Sequence, residues 1–271
     1  MHAQDRYLPD PNRVGVLAAA VLLTYALTRL VNAPAFTVSI QFPGFYFSYP
    51  FTLGTAMTLM AAGLTASGMD WLLRSHPTLD GKGTIEHWLL PALTAFIVGV
   101  LLDSLPPGSV WWAALVVGGS ILILVFLAEY VAVDPGGPIY ALASAGLIAL
   151  SYTLFMIFVI ALHIGGARLF LSIPAIFLAA GLVSLRTLHL RLGGHWEFPW
   201  AIGIGLVCTQ LGAGLHYWPL TSLQLGLILL GPLYALTALA YSLSQDVPIR
   251  GAFAEPAIIL GGLWTAAIFL R

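Results

Sequence analysis

The chain has very few charged residues, and this excludes most soluble folds. Of its 271 residues only 10 are basic and 11 are acidic, so that charged residues make up 8% of the sequence. A soluble domain carries about 25% charged residues. Because apolar residues reach 59%, the composition predicts a polytopic membrane protein with the lipid bilayer as its surroundings. The net charge of −1 offers no basic surface, so nucleic acid is not an expected partner.

Cysteine and lysine are almost absent, and so are known catalytic motifs. Cys208 is the only cysteine, which excludes an intrachain disulfide and a cysteine-based metal site. Lys82 is the only lysine, so no apolar segment offers a lysine for a retinal Schiff base. The sequence contains no H-E-x-x-H helix, G-x-S-x-G elbow or P-loop. We therefore expect no cofactor and no metal and favour a non-enzymatic role, although an unknown enzyme stays open.

What the sequence has in abundance is long apolar segments. A bilayer span needs about 20 mostly apolar residues, and only a helix satisfies every backbone group within one such segment. The sequence predicts an all-α polytopic transmembrane helix bundle that forms a single transmembrane domain over 1–271. Nine spans are expected, or eight if the last does not cross: 13–31, 50–73, 88–104, 110–132, 139–163, 168–187, 199–217, 221–243 and 253–270.

The basic residues predict the orientation of these spans. Cytoplasmic loops carry an excess of arginine and lysine. With the N-terminus inside, only Arg29, Arg168 and Arg271 of the ten basic residues fall outside. The inner ones are Arg6, Arg13, Arg74, Lys82, Arg186, Arg191 and Arg250. The sequence therefore predicts a cytoplasmic N-terminus.

The segment 200–217 is apolar and rich in small residues. Inside a bilayer, helices associate through close backbone packing, which small residues permit. Gln210 is the one amide that we expect at mid-membrane depth. The segment thus predicts a central helix, with a packing ridge of residues four apart: Ala201, Gly205, Thr209 and Ala213.

Five polar residues lie near predicted outer span ends: Arg29, Asp103, His163, Arg168 and His216. If their spans are neighbours, they form one outer pocket, in which Asp103 pairs with an arginine. The two histidines would then bind a metal with Asp103 or serve as axial haem ligands. The alternative, which we favour, is that these side chains extend separately to the headgroup layer.

Glu129 stands out on the inner side, about one turn inside the end of its span. Ionisable residues within a span are costly and usually functional, so Glu129 is a candidate proton-relay carboxylate. A carboxylate paired with Arg186 or Arg191 would look the same.

The predicted outer loop 32–49 alternates apolar residues with polar or small ones. Such a period indicates a strand, so the loop is either a small hairpin or a re-entrant segment at the membrane interface. Its aromatic residues either anchor the loop as an aromatic belt or bind a partner or lipid, and we favour the belt because such belts are common.

The segment 216–220, followed by 231–241, resembles the C-terminal part of uncharacterised multi-pass bacterial membrane proteins. This resemblance implies a bacterial inner (plasma) membrane protein, and it implies no activity.

Three functions remain open. The first, which we favour, is a structural or accessory subunit that binds other membrane-protein subunits. The second is a transporter of a small or lipid-like solute, based on Glu129 and Gln210. The third is a membrane enzyme or cofactor carrier that uses His163, His216 and Asp103.

Overall fold

The structure is a computed structural model that describes residues 9–31, 34, 36–42, 45–76, 79 and 83–270. Arg6, Lys82 and Arg271, which entered the predicted orientation, lie outside the described residues. The prediction of an all-α helix bundle is confirmed. The helices are α1 (Pro11–Leu30), α2 (Leu53–Leu73), α3 (Leu89–Ser104), α4 (Ser109–Val131), α5 (Tyr140–Ile164), α6 (Leu169–Arg191), α7 (Phe198–Leu215), α8 (Ser222–Ser244), the short α9 (Ile249–Ala252) and α10 (Ala254–Phe269).

Seven segments in the described part of the chain are long and apolar enough to cross a membrane. They are α1, α4, α5, α6, α7, α8 and the segment Ile85–Ser104, in which a 3₁₀ turn over Ile85–His87 precedes α3. α10 is apolar but has only 16 residues, and α2 is not among the seven. The seven segments indicate an integral membrane protein, whereas a total of eight or nine spans stays a prediction.

The predicted outer loop contains a two-stranded antiparallel hairpin. Strand β1 (Phe36–Phe42) pairs with β2 (Phe45–Phe51), with Phe36 opposite Phe51 and Phe42 opposite Phe45. The alternating sequence is therefore a hairpin, the first of the two structures that the pattern indicated. An aromatic belt at a membrane interface stays a prediction.

Local sequence signals explain where several helices begin. Asp10 caps α1 by accepting a hydrogen bond from the Asn12 backbone N–H at 2.9 Å, and Pro11 occupies the first helical position, where no backbone donor is needed. Thr221 and Gln224 form a capping box at the start of α8, in which each side chain accepts from the other residue's backbone N–H. These caps satisfy backbone groups that the helix itself leaves unpaired.

The chain divides into two compact units, Met1–Ala143 and Ser144–Arg271, here called unit 1 and unit 2. In unit 1, helices α1 to α4 pack around large buried side chains such as Tyr25, Trp111 and Phe126. In unit 2, α6, α7 and α8 pack against one another and α10 packs on α8. The single transmembrane domain stays a prediction.

Candidate functional site

The ridge predicted on α7 faces the interior of unit 2. Ala201, Gly205 and Thr209 are buried, and Ala213 is half-buried. A Cβ atom at Gly205 would lie 3.1 Å from the carbonyl oxygen of Phe177 on α6, so α6 and α7 approach closely at this glycine. The Thr209 hydroxyl donates to the Gly205 carbonyl oxygen at 2.7 Å within its own helix. This face of α7 is therefore occupied by contacts within the chain.

The opposite face of α7 carries a second set of small residues. Gly203, Gln210 and Gly214 are exposed, together with the apolar side chains of Leu206 and Val207. Among the described residues, no atom lies within 4 Å of a Cβ built on Gly203 or Gly214. We call these five residues the outward face of α7. The sequence placed Gln210 at mid-depth but did not predict that its side chain would point out of the chain.

The depth of Gln210 follows from the aromatic residues after α7. Tyr217 and Trp218 are 80% and 63% exposed, and such side chains sit at the membrane–water interface. Gln210 precedes Leu215, the last residue of α7, by five positions, which is about 8 Å along the helix axis. With these side chains at the interface, the Gln210 amide is expected in the hydrocarbon region, where no water is present to pair with it.

The Gln210 amide makes no hydrogen bond with any residue that the structure describes. A primary amide has two donors and one acceptor oxygen, and leaving such a group unpaired in an apolar medium is unfavourable. The flanking glycines let another backbone approach α7 closely. The outward face of α7 thus combines a hydrogen-bonding group with room for a second helix.

Two of the five predicted outer residues line one cavity in unit 2. His163 and His216, both half-buried, border a cavity of about 170 Å³ between the ends of α5 and α7 and the starts of α6 and α8. Arg168 does not line this cavity, and its side chain is exposed. Its carbonyl oxygen accepts from the Ser172 hydroxyl at 3.3 Å.

The other two predicted outer residues lie in unit 1. The Arg29 guanidinium donates to the carbonyl oxygens of Leu102 and Leu105, at 3.2 and 2.7 Å, and lies over the Trp111 ring at 5.1 Å. Asp103 packs beside Gly54. Within the described part of unit 1, Arg29 and Asp103 form no ion pair. The arginine is thus held by backbone carbonyls and an aromatic ring.

A metal site was one use proposed for the outer residues. The described residues contain no group of three or more His, Cys, Asp or Glu side chains that could hold a metal ion.

Glu129 lies in unit 1, and its side chain is completely buried. The His87 ring nitrogen Nδ1 is 2.8 Å from the carboxylate oxygen Oε2. His87 is itself buried and ends the 3₁₀ turn before α3, so the turn places the imidazole against the end of α4. The sequence singled out Glu129 at the inner side but did not predict this pair. The available signal was that spans three and four are consecutive and that both residues lie near their inner ends.

A second histidine lies near the same end of unit 1. The His76 ring stacks at 4.5 Å on the ring of Tyr130, which follows Glu129. Burial lowers the pKa of His76 below its usual value, the Asp134 carboxylate opposes this shift, and the nearby His87 ring adds to it. The neutral form of His76 is therefore favoured. Pairing of Glu129 with Arg186 or Arg191 stays a prediction.

Comparison with known proteins assigns the chain to a family. The family described as "Protein of unknown function (DUF5656)" matches residues 33–270, so the match extends well beyond the C-terminal segments whose resemblance the sequence indicated. The chain belongs to this family. Its description gives no membrane location, bacterial origin or activity. No curated protein and no solved structure matches the chain significantly.

Proposed function

We propose that this member of the DUF5656 family is an accessory subunit of a membrane complex. Its outward face of α7 binds a transmembrane helix of another subunit. The observation that carries the proposal is the exposed amide of Gln210, which lies about two turns inside the interface marked by Tyr217 and Trp218. We place the protein in the bacterial inner membrane with its N-terminus in the cytoplasm.

The physical argument is that lipid cannot satisfy the Gln210 amide. Lipid tails are as apolar as leucine, so apolar side chains alone give little drive for helix association in a bilayer. An amide paired across a helix interface adds about 0.6 to 2 kcal/mol of association free energy. Gly203 and Gly214, which have open space around them, remove the steric barrier to close approach. Both supporting features lie on the same face of α7.

The chemistry of this face also describes the partner. A helix that binds here presents a donor or acceptor opposite Gln210, such as an amide or hydroxyl side chain. It presents small residues opposite Gly203 and Gly214, because two backbones that approach closely leave no space for large side chains.

The test is gentle extraction from native membranes with tagged wild-type protein and the variant Gln210→Leu. Mass spectrometry then quantifies the proteins that stay bound. Loss of the amide should reduce recovery of a defined partner by about 3-fold to 30-fold, which corresponds to the free energy of one interhelical hydrogen bond. The amount of variant in the membrane and its thermal unfolding should match the wild type, because Gln210 has no hydrogen bond to lose within the described chain.

Ser120→Leu is the matched control. Ser120 is also an exposed polar residue inside a helix, but its hydroxyl donates to the Val116 carbonyl oxygen at 2.9 Å. Its substitution should leave partner recovery unchanged. A partner that is lost equally from both variants, or from neither, contradicts the proposal.

One observation supports a second candidate, a proton-coupled transporter. The buried Glu129 carboxylate and the His87 imidazole form a hydrogen bond, and such pairs inside a membrane often mark proton pathways. Gln210 contributes nothing to this candidate, because it faces outward, and neither Glu129 nor Gln210 lines the cavity described above.

Proteoliposomes loaded with a pH-sensitive dye test this alternative. If the pair carries protons, Glu129→Gln should lower the rate of proton entry at least about tenfold, since the relay loses its titratable group. Glu255→Gln is the control, because the exposed Glu255 carboxylate accepts a hydrogen bond from the Tyr234 hydroxyl at 2.8 Å. Equal proton entry in wild type, both variants and empty vesicles removes the transporter.

A further inference from the structure

The cavity of unit 2 is apolar at its deep end and polar at its mouth. Val159, Ile176 and Leu225 are buried and form part of its wall. His163 lies one helical turn beyond Val159 at the end of α5, and His216 directly follows α7. The two imidazoles therefore lie at the ends of their helices. Val159 lies one turn deeper on α5 and Ile176 lies in the second turn of α6, whereas Leu225 lies in the first turn of α8.

Neither cavity imidazole has a hydrogen-bond partner among the residues that the structure describes. The His216 ring meets the Tyr217 ring edge-on at 4.8 Å, which leaves its nitrogens unused. Each neutral imidazole has one donor nitrogen and one acceptor nitrogen. The cavity thus offers four ring nitrogens to which the described chain makes no hydrogen bond.

Among the described residues, those that line the cavity include no carboxylate, arginine or lysine. Ser172, the other polar side chain there, donates its hydroxyl proton to the carbonyl oxygens of Ala167 and Arg168 at 3.2 and 3.3 Å. The lining thus carries no fixed charge with which to pair a phosphate or an ammonium group. A neutral ligand with an apolar body fits this wall.

The volume of the cavity is sufficient for one ring. The cavity measures about 170 Å³, and an apolar cavity of about 150 Å³ accepts benzene. We propose that this cavity binds a single aromatic ring that carries a hydroxyl group, of the phenol class. The ring lies against Val159, Ile176 and Leu225, and its oxygen pairs with His163 or His216. This inference is independent of the outward face of α7.

Two probes of equal size test the proposal on the purified full-length protein in detergent micelles. They are 4-fluorophenol and 4-fluorotoluene, which differ in having a hydroxyl or a methyl group. Fluorine NMR titrations, corrected with empty micelles, measure the saturable part of binding. The phenol should bind about tenfold more tightly than the toluene, since only the phenol pairs with an imidazole.

Variants then assign the binding to the cavity. His163→Phe and His216→Phe keep a ring of similar size but remove the nitrogens, and at least one should reduce the preference for phenol to below about twofold. Ala167→Trp, which fills the mouth, should abolish saturable binding of both probes. His195→Phe is the matched control, because His195 is exposed and lies outside the cavity.

The wild-type titration alone is decisive if a variant fails to fold. Absence of saturable binding of either probe overturns the proposal. Equal affinity for the two probes also overturns it, because the imidazoles would then contribute nothing to recognition. An equal loss of phenol binding in His195→Phe would place the site elsewhere.

Discussion

The two faces of α7 have similar residues and different surroundings. The inward face, with Ala201, Gly205 and Thr209, packs within unit 2, and its hydroxyl is satisfied by its own helix. The outward face has Gly203 and Gly214 in open space and carries the Gln210 amide. Small residues on a membrane helix therefore mark a contact surface, but composition does not say whether the contact is within the chain or with another chain.

The two faces differ in whether their polar side chain has a hydrogen-bond partner within the chain. Thr209 and Gln210 are adjacent in sequence and lie at the same depth. The Thr209 hydroxyl has an acceptor one turn away, whereas a glutamine amide at this depth needs a partner from outside. Substitutions on the two faces should therefore have different effects on unfolding and on partner recovery.

The largest effect is expected from Gly205→Leu on the inward face. A Cβ atom there would lie 3.1 Å from the Phe177 carbonyl oxygen and 3.2 Å from two carbons of its ring. The leucine must separate α6 from α7, which should destabilise the fold by about 1 to 3 kcal/mol. Thermal unfolding of the purified protein measures this loss.

Gly203→Leu is the matched control for that measurement. It makes the same chemical change on the same helix, but where no atom is near. Its unfolding free energy should stay within about 0.5 kcal/mol of wild type. Equal destabilisation by both substitutions would mean that the two faces do not differ.

An intermediate effect is expected when the outward glycines are enlarged. Gly203→Leu and Gly214→Leu should each reduce partner recovery about threefold to tenfold, because the added side chain holds the partner helix away. Quantitative mass spectrometry of gently extracted protein measures this change. Their free energies of unfolding should match that of the wild type, whereas Gly205→Leu should lower the free energy of unfolding. Full recovery of the partner with both leucines would contradict a close helix contact here.

The smallest effect is expected from Thr209→Val, which has nearly the same shape. The Thr209 hydroxyl donates only to the Gly205 carbonyl oxygen, which a helix already pairs with a backbone N–H. The unfolding free energy should change by less than about 0.5 kcal/mol, and partner recovery should not change. Thermal unfolding and extraction are measured on the same preparation. A loss of partner as large as that of Gln210→Leu would show that the hydroxyl has a role beyond its own helix.

The helix positions could be predicted from the sequence, because the position and length of each apolar segment determine them. Each long helix overlaps a predicted span, and the ridge through Gly205 was visible as a four-residue repeat. The direction that Gln210 faces was not predictable, since lipid and protein interior are equally apolar and leave no amphipathic pattern. In a soluble protein, a polar stripe would have distinguished the two faces.

The contacts of the polar residues could likewise be predicted only in part from the sequence. A pocket shared by all five outer residues was the less favoured of the two predictions, and His163 and His216 are the two that line one cavity. The sequence grouped Arg29 with them only by expected depth, and it gave no sign that backbone carbonyls of Leu102 and Leu105 would hold this arginine. The Glu129–His87 hydrogen bond depends on a 3₁₀ turn before α3, and such a short turn has no clear sequence signature.

A photo-crosslinking scan of α7 in native membranes shows directly which face of this helix contacts another subunit. The buried Cys208 is first replaced by alanine, so that one new cysteine at a time carries a benzophenone group. Cysteines at Leu206 and Val207 sample the outward face without removing the Gln210 amide or enlarging a glycine, and cysteines at Ala201 and Ile204 sample the inward face.

If the outward face is the contact, the outward positions should form adducts with one defined partner, and the inward positions should form none with that partner. Adducts that follow no helical periodicity, or outward positions that crosslink only to lipid, would contradict the claim that α7 binds another subunit.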